Sequence, residues 1–524
     1  MNHMDKVKFS TTVILIVTTF ALVASFSMLN KSRTIDELAH IVGGTYYLHT
    51  LNNYVFIEQP ILQSVFSLPT IINKNLVVKF PPAHMNDNIY GDNLKSVVLY
   101  ARLINILMTI ILSLFVVKLI LKITKSHKTV IIFLLLILFN PTTLAYTRFA
   151  TPDIMGALTS FIAILYSYIF LKNQTKKNAI ILGSLCAVAF LTKYTALVPL
   201  IYIFISLFVL LVKERNRKTI INLATITFTF LFIVNAMFVF RGTADPIKNF
   251  EFVTTSTSNL VKNTFIGNIP SPLPREVLRG LDYVKWHTQE GHYNKFIYFM
   301  GKYYKHGSKL YFPTLFLIKT PAFVLVLFTI FFLYILKKAF IKPINEKSKF
   351  IMYVAITPFL FYFFFVVFLN SLNLGVRHIL FTYLCAYLII AYGFAQLYIK
   401  HKTLIKYLTG ILIFYLLTIN IQIYPHYLEY FNELIGGPLN GYKYAVKSNL
   451  DWRQDANFIT NYNTKNNLNL IIDPQCGTNF TSGKKVALRA NRLFSIENGS
   501  PCYANVKNGK LINRITYVWF IYEF

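Results

Sequence analysis

Long apolar runs recur from Thr12 almost to Ile423, and no other property of the chain narrows its fold so far. About 20 apolar residues suffice to cross a bilayer as a helix, with every backbone polar group satisfied inside the helix. Such segments are read near 12–29, 98–121, 130–146, 154–171, 179–191, 196–212, 220–240, 312–336, 350–369, 378–398 and 407–423. The 524 residues are 55% hydrophobic, whereas a soluble chain of this length would divide into several cores and be less apolar. The expected fold is therefore an all-α polytopic membrane protein of about 11 transmembrane helices. Segment 179–191 is short for a span, and with 196–212 it makes either two tilted spans or a re-entrant hairpin. The first segment lacks a clear small-residue cleavage site and reads as a retained span, not a signal peptide.

The net charge of +31 comes from 52 Lys+Arg against 21 Asp+Glu. Basic residues cluster in short loops between apolar runs, which fits membrane topology better than a nucleic-acid surface. Lys6 and Lys8, Lys122/Lys125/Lys128, Lys172/Lys176/Lys177, Lys213 to Lys218, Lys337 to Lys349 and Lys400/Lys402 fall at every second loop. The positive-inside rule makes those loops cytoplasmic. The opposite face then receives loop 30–97, the turn 148–153, loop 241–311, the stretch 370–378 and everything after residue 423. Most of the polar loop mass lies there, so chemistry is expected on that face. The spans carry no acids at their middles, which argues against an ion-coupled transporter.

Thr34-Ile-Asp-Glu37 reads as a capping box that starts a helix just outside the first span. Asp36 then lies in its first turn, where the helix dipole favours the ionised carboxylate. A fixed carboxylate there can serve as a general base, although Asp-Glu at a helix start is also common capping chemistry. Asp153 follows Pro152 at another helix start on the same face, which makes it a second candidate carboxylate, for substrate or a possible metal, although an acid at a helix N-terminus is also ordinary. His40 lies four residues beyond Asp36, on the same side of the helix. Glu58 precedes Gln59-Pro60 and suits a sugar hydroxyl or a metal. Arg377-His378, Lys193 and Lys319 stand near the outer boundary, where cations suit a lipid-linked phosphate or simply snorkel.

The chain divides into a membrane module, 1–423, and an extracytoplasmic region, 424–524. The latter is polar and long enough for a small α/β domain, with strands expected at 468–472 and 514–520 and a helix opened by Asp451. Cys476 and Cys502 both fall in it and form a candidate disulfide, while Cys186 and Cys385 lie in apolar spans. There is no phosphate-cradling glycine loop, serine nucleophile elbow or zinc-type cysteine spacing.

An ordered set of motifs carries a resemblance. It comprises Asp36-Glu37-x-x-His40, Gly43-Gly44-x-Tyr46-Tyr47, Glu58-x-Pro60, Thr151-Pro152-Asp153 and Thr192-Lys193-Tyr194. Gly291-His292, Tyr311-Phe-Pro313, Lys319-Thr-Pro321 and Asn373-Leu-Gly-Val-Arg377-His378 follow. Last come the stretch from Tyr424 to Pro438 and Ser448-Asn-Leu-Asp-Trp452. Together they resemble the polytopic C-type glycosyltransferases (GT-C), especially the protein O-mannosyltransferase-like group, glycosyltransferase family 39, and the related lipid A aminoarabinose transferase. Bacterial members often have an acid where Lys447 stands, Gly where Arg453 stands and a second Pro where Ile61 stands.

The resemblance implies a GT-C-like fold and transfer of a sugar, hexosyl or mannosyl in type, from a polyprenyl-phosphate donor. It implies Asp36 as base with inversion at the anomeric carbon, Glu37 beside it, and an acceptor hydroxyl on a protein, lipid or glycan. Arg377, His378, Lys193 and Lys319 are the implied donor-phosphate ligands. A divalent metal is left open, with Glu58 and His40 as the ligands to suspect. The partners are thus the lipid-linked donor, the acceptor and membrane lipids, with no nucleic acid. Motif order favours a bacterial inner-membrane enzyme with a periplasmic active face. The alternative reading is a flippase or transporter for a lipid-linked sugar.

Overall fold

A computed structural model describes residues 3–51, 60–72, 93–290, 296–341, 345–497 and 500–524. Glu58 and Gly291-His292 lie outside the described residues. The chain opens with α1 (His3–Met28), α2 (Ile35–Thr50), α3 (Pro60–Ile72) and α4 (Leu94–Thr124). It continues through α5 (His127–Phe139), α6 (Pro141–Thr147), α7 (Asp153–Lys172), α8 (Lys176–Thr192), α9 (Leu197–Glu214) and α10 (Arg217–Met237). A loop with α11 (Thr255–Asn263), α12 (Arg275–Glu290) and the hairpin of β1 (Ile297–Phe299) with β2 (Lys302–Tyr304) leads back to the bundle. There follow α13 (Tyr311–Lys319), α14 (Ala322–Ile341), α15 (Glu346–Ile351), α16 (Thr357–Phe368), α17 (Leu380–Tyr398) and α18 (Lys402–Ile423).

Nine helices among the described residues are long and apolar enough to span a membrane, or ten if the α5–α6 pair counts as one. The protein is a multi-pass membrane protein. The fifth expected span, 179–191, lies in α8, whose 17 residues reach about 26 Å, short of a hydrocarbon core of about 30 Å. Two expected spans are interrupted, and proline is the cause in each. The run 130–146 bends by 65° between α5 and α6. Pro141 opens α6, and Asn140 Oδ1 accepts from Thr142 N–H at 3.0 Å to cap it. The run 312–336 breaks before Pro321, which holds Thr320 extended and ends α13 at Lys319.

Two spans lie at the centre of the bundle. Asp153–Lys172 and Val376–Tyr398 are each 89% buried over their apolar window, against 17–50% for the other single-helix spans. Both begin at the same end of the bundle. Asp153 is the first residue of α7, and Arg377-His378 immediately precede α17.

The C-terminal region carries α19 (Ala456–Asn466), β3 (Ile471–Ile472), β4 (Lys485–Arg489), α20 (Ala490–Leu493), β5 (Ile496–Glu497), β6 (Ser500–Pro501), β7 (Lys510–Ile515) and β8 (Trp519–Glu523). Its main sheet has the order β3-β4-β8-β7, with β3 and β4 parallel and the other pairs antiparallel. Ile459 of α19 packs on it beside Ala487, Val518, Trp519 and Ile521. The expected strand 514–520 is instead the corner between β7 and β8, where Thr516 takes a left-handed φ of 55°. The helix expected from Asp451 begins at Ala456, because the Asp451 carboxylate is held by Arg453 N–H at 3.2 Å and Asn491 N–H at 2.7 Å. Cys476 and Cys502 are joined as a disulfide, and Cys186 and Cys385 are buried thiols.

Candidate active site

The site is built where the linker after α1, the starts of α7 and α17, and the segment 448–454 meet. Glu37 fixes the linker. Its carboxylate accepts Arg102 Nε at 2.7 Å and Nη2 at 2.8 Å, Thr34 N–H at 2.7 Å and Ala150 N–H at 2.9 Å. Burial pushes the Glu37 carboxyl up, but Arg102 and the hydrogen bonds outweigh it and hold the group below its ordinary value. Glu37, expected beside Asp36 in the catalytic pair, is thus committed to structural partners. Both its oxygens are enclosed and occupied, and it sets the start of α2.

Asp36, one residue earlier, points the other way. Its Oδ2 accepts Arg377 Nη1 at 2.7 Å, and its side chain stays 31% exposed. Arg377 Nη1 also lies 3.9 Å from Asp153 Oδ2. Asp153 is 1% exposed and pairs through Oδ1 with Lys193 Nζ. Four of the residues picked out from sequence, separated by up to 341 positions, thus form one chain of alternating charge: Asp36, Arg377, Asp153, Lys193. Burial acts to raise the Asp36 carboxyl, and the Arg377 guanidinium more than offsets it, so Asp36 is held below its ordinary range. His40 adds to that field from the next turn of α2, as a buried side chain. His378 lines the narrow cleft over Asp153 with Ser160, Thr195 and Tyr362.

Small residues make this geometry feasible. A Cβ on Gly156 would come within 2.8 Å of the Lys193 Cβ, so glycine lets the lysine stem lie along α7. A Cβ on Gly375 would collide with Ser448 Oγ. That close approach lets segment 448–454 grip the start of α17. Ser448 Oγ donates to Leu374 O at 2.9 Å, and Asn449 Oδ1 accepts Val376 N–H at 2.8 Å. Trp452 lies under the Arg377 guanidinium at 4.5 Å from the ring centroid. The same segment pairs with the Asp36 linker through Ile35 N–H to Trp452 O at 3.3 Å and Ser32 N–H to Gln454 O at 2.8 Å. Arg377 Nε is buried without a hydrogen-bond acceptor, as is Asp153 Oδ2 without a donor.

Lys319, expected among the donor-phosphate ligands, is likewise enclosed. It is 1% exposed, and its three N–H donors go to the carbonyls of Leu428, Tyr430 and Asn449 at 2.8, 2.6 and 2.8 Å. The break before Pro321 turns it into the protein, where it staples α13 to the C-terminal segment.

Sequence reasoning passed over a second charged cluster. Lys31 Nζ contacts His426 Nδ1 at 2.8 Å, Glu429 Oε1 at 2.9 Å and Asp455 Oδ1 at 2.5 Å. The His426, Glu429 and Asp455 ligand atoms lie within 4.8 Å of one another, the one group among the described residues compact enough for a metal. The Lys31 ammonium already touches all three. The short spacing of His426 and Glu429, on the expected outer face, was the available signal.

Residues 88–238 match the family profile described as dolichyl-phosphate-mannose-protein mannosyltransferase. Over that stretch the chain is similar to the protein mannosyltransferases. The matched stretch holds Arg102, Asp153 and Lys193 but neither Asp36 nor Arg377. No curated protein matches the chain in sequence. Among solved structures, ArnT from Cupriavidus metallidurans, bound to undecaprenyl phosphate, is 14% identical, with a TM-score of 0.47 over 76% of this chain and 63% of that one. The archaeal oligosaccharyltransferase AglB from Archaeoglobus fulgidus, in complex with an inhibitory peptide and a dolichol-phosphate, is 13% identical, with a TM-score of 0.48 over 82% of this chain and 56% of that one. The chain thus spans less than two thirds of the length of either.

Proposed function

We propose that this protein is a membrane glycosyltransferase that moves a sugar from a polyprenyl-phosphate carrier to an acceptor hydroxyl, on the face opposite the lysine-rich loops. The observation that carries the reading is the Arg377 guanidinium between Asp36 and Asp153, with a buried Nε that lacks an acceptor. That is a cation held in place with a donor to spare for an anionic oxygen, beside a partly exposed carboxylate. The match to the mannosyltransferase profile supports the reaction class.

In this reading Asp36 takes the proton from the acceptor hydroxyl. The acceptor oxygen attacks the anomeric carbon from the face opposite the phosphate, so the configuration inverts. The bond between the anomeric carbon and the phosphate oxygen breaks, and its electron pair leaves on the polyprenyl phosphate. Arg377 and Lys193 stabilise the charge that develops there. Asp153 holds both cations in position, and Trp452 fixes the plane of the guanidinium.

The test is sugar transfer by purified protein in detergent, with a panel of polyprenyl-phosphate sugars and wild type beside Asp36→Asn. Turnover with one donor, lost in the variant, is expected. Turnover that survives the change removes Asp36 from the mechanism. A lack of turnover with every donor, combined with movement of lipid-linked sugar across vesicles, would replace the enzyme reading with a flippase.

A further inference from the structure

The opposite end of the bundle holds a larger opening than the candidate active site. A cavity of about 1180 Å³ lies between the start of α1, the α4–α5 turn, the end of α7, α15 and the end of α17. α7 runs from Asp153 at the candidate active site to Lys172 at this cavity, and its 20 residues place the two about 30 Å apart.

The lining has a consistent chemistry. Lys8, Lys122, Lys125, Lys128, Lys172 and Lys347 surround the cavity, and Glu346 is the one acid among its described lining residues. Glu346 is already paired with Lys172 and Lys349. The α4–α5 turn contributes the first turn of α5, a 13-residue helix, whose amides present the positive end of its dipole. In that turn Thr129 lines the cavity, is 1% exposed, and has a buried hydroxyl with no hydrogen-bond partner. A buried, unpartnered hydroxyl is uncommon and points to an absent partner. Phe9, Ile131 and Phe350 supply apolar wall, and Lys128 Nζ lies over the Tyr398 ring.

We infer that this cavity binds a phosphate anion carried by a membrane lipid headgroup, separately from the proposed donor site. The lysines and the His127 and Lys128 amides meet the phosphate oxygens (the Thr129 amide is capped by Ser126 Oγ), the Thr129 hydroxyl donates to one of them, and the aromatic and aliphatic wall lies beside the acyl chains. Basic pockets between spans at a lysine-rich membrane face are suited to anionic headgroups. The volume is ample for one headgroup with its glycerol backbone.

The test is native mass spectrometry of the full chain released from detergent. It is titrated with phosphatidylglycerol, cardiolipin or phosphatidylcholine of matched chains, with and without inorganic phosphate. Wild type should retain the anionic lipids at least roughly tenfold better than phosphatidylcholine, because several lysines stand near the headgroup. The triple variant Lys122→Gln/Lys125→Gln/Lys128→Gln should lose that preference, and Thr129→Val should weaken it without changing charge. The control Lys213→Gln/Lys218→Gln, on another loop of the same face, should keep it. Displacement by millimolar inorganic phosphate would assign the anion to solvent, and resistance would assign it to the bilayer; both support a phosphate site. Equal retention of all lipids by wild type overturns the inference. So does equal loss in the control pair, or a preference that survives the triple variant.

Discussion

The Arg377 guanidinium reaches Asp36 at 2.7 Å although 341 positions separate the two in sequence. The contact closes the bundle at the end where the central helices α7 and α17 begin. It also sets the protonation state of the proposed base. An Asp36→Asn variant keeps the size and one acceptor oxygen but loses the base. Transfer per folded molecule should fall about a hundredfold or more, with some loss of thermal stability in detergent because the charge pair with Arg377 is gone. A variant that retains most of its activity removes the base role.

Arg377→Lys keeps the charge but not the planar fork that serves Asp36, Asp153 and a third oxygen together. We expect at least a tenfold drop in kcat/KM, with a raised KM for the lipid-linked donor, measured by titration of donor at saturating acceptor. An unchanged donor KM would place the phosphate elsewhere.

Glu37 and Asp36 should separate stability from activity. Glu37→Gln disrupts a buried ion pair with Arg102 and should cost about 3–5 kcal/mol. The folded fraction should still turn over, because neither Glu37 oxygen faces the cleft. Unfolding curves paired with activity per folded molecule distinguish the two variants.

The pH–rate profile follows from the depressed carboxyl of Asp36. A lowered folded value keeps the base ionised through neutral pH, and its activity is lost only as pH falls through that value. The acid limb of kcat/KM should therefore lie below about pH 4, the ordinary carboxylate value. An acid limb above pH 5 would assign the base to another group.

Lys31→Met tests the Lys31 cluster by the sign of a slope. In wild type Glu429 is held well below its ordinary value, since burial is outweighed by Lys31, His426 and Arg148. Its contribution to stability is present above the ordinary carboxylate range and is lost as pH falls through the folded value. His426 is raised, as Asp455 and Glu429 overcome its burial. Its contribution is present below about pH 6.5 and is lost as pH rises through the folded value. Without the ammonium, the buried Glu429 keeps His426, Arg148 and the Gln454 amide but loses its largest charged partner. The Glu429 carboxyl should rise, and stability between pH 5 and 7 should then fall with increasing pH. Unfolding curves for both proteins across that range provide the check.

Much of this architecture was legible because the bilayer imposes a length on apolar runs. The spans and their lysine-rich turns follow from periodicity and charge alone. Asp36, Asp153, Lys193 and Arg377 could be picked out because each is an ionisable residue at a span boundary, where charge is costly and seldom idle. Their pairing was not legible, since it depends on the crossing of α7 and α17 and on segment 448–454. Glu37 and Lys319 looked like their functional neighbours in sequence. Their burial became visible only with Arg102 and the three carbonyls in place. The corner at Thr516 was missed because a β-rich composition on both sides masks a left-handed residue.

Lys31 has a further consequence for how the molecule is made. Its partners Glu429 and Asp455 lie 398 and 424 residues further along the chain. At about 5–20 residues per second, a ribosome needs roughly 20–80 s to reach Glu429 after Lys31 has emerged. Until then the ammonium must wait in water or among headgroups, and α1 has no ionic lock. The latch closes only after the segment from His426 to Asp455 has been made, so a chain stalled before that point would display an unmatched lysine to the machinery that surveys unfinished membrane proteins.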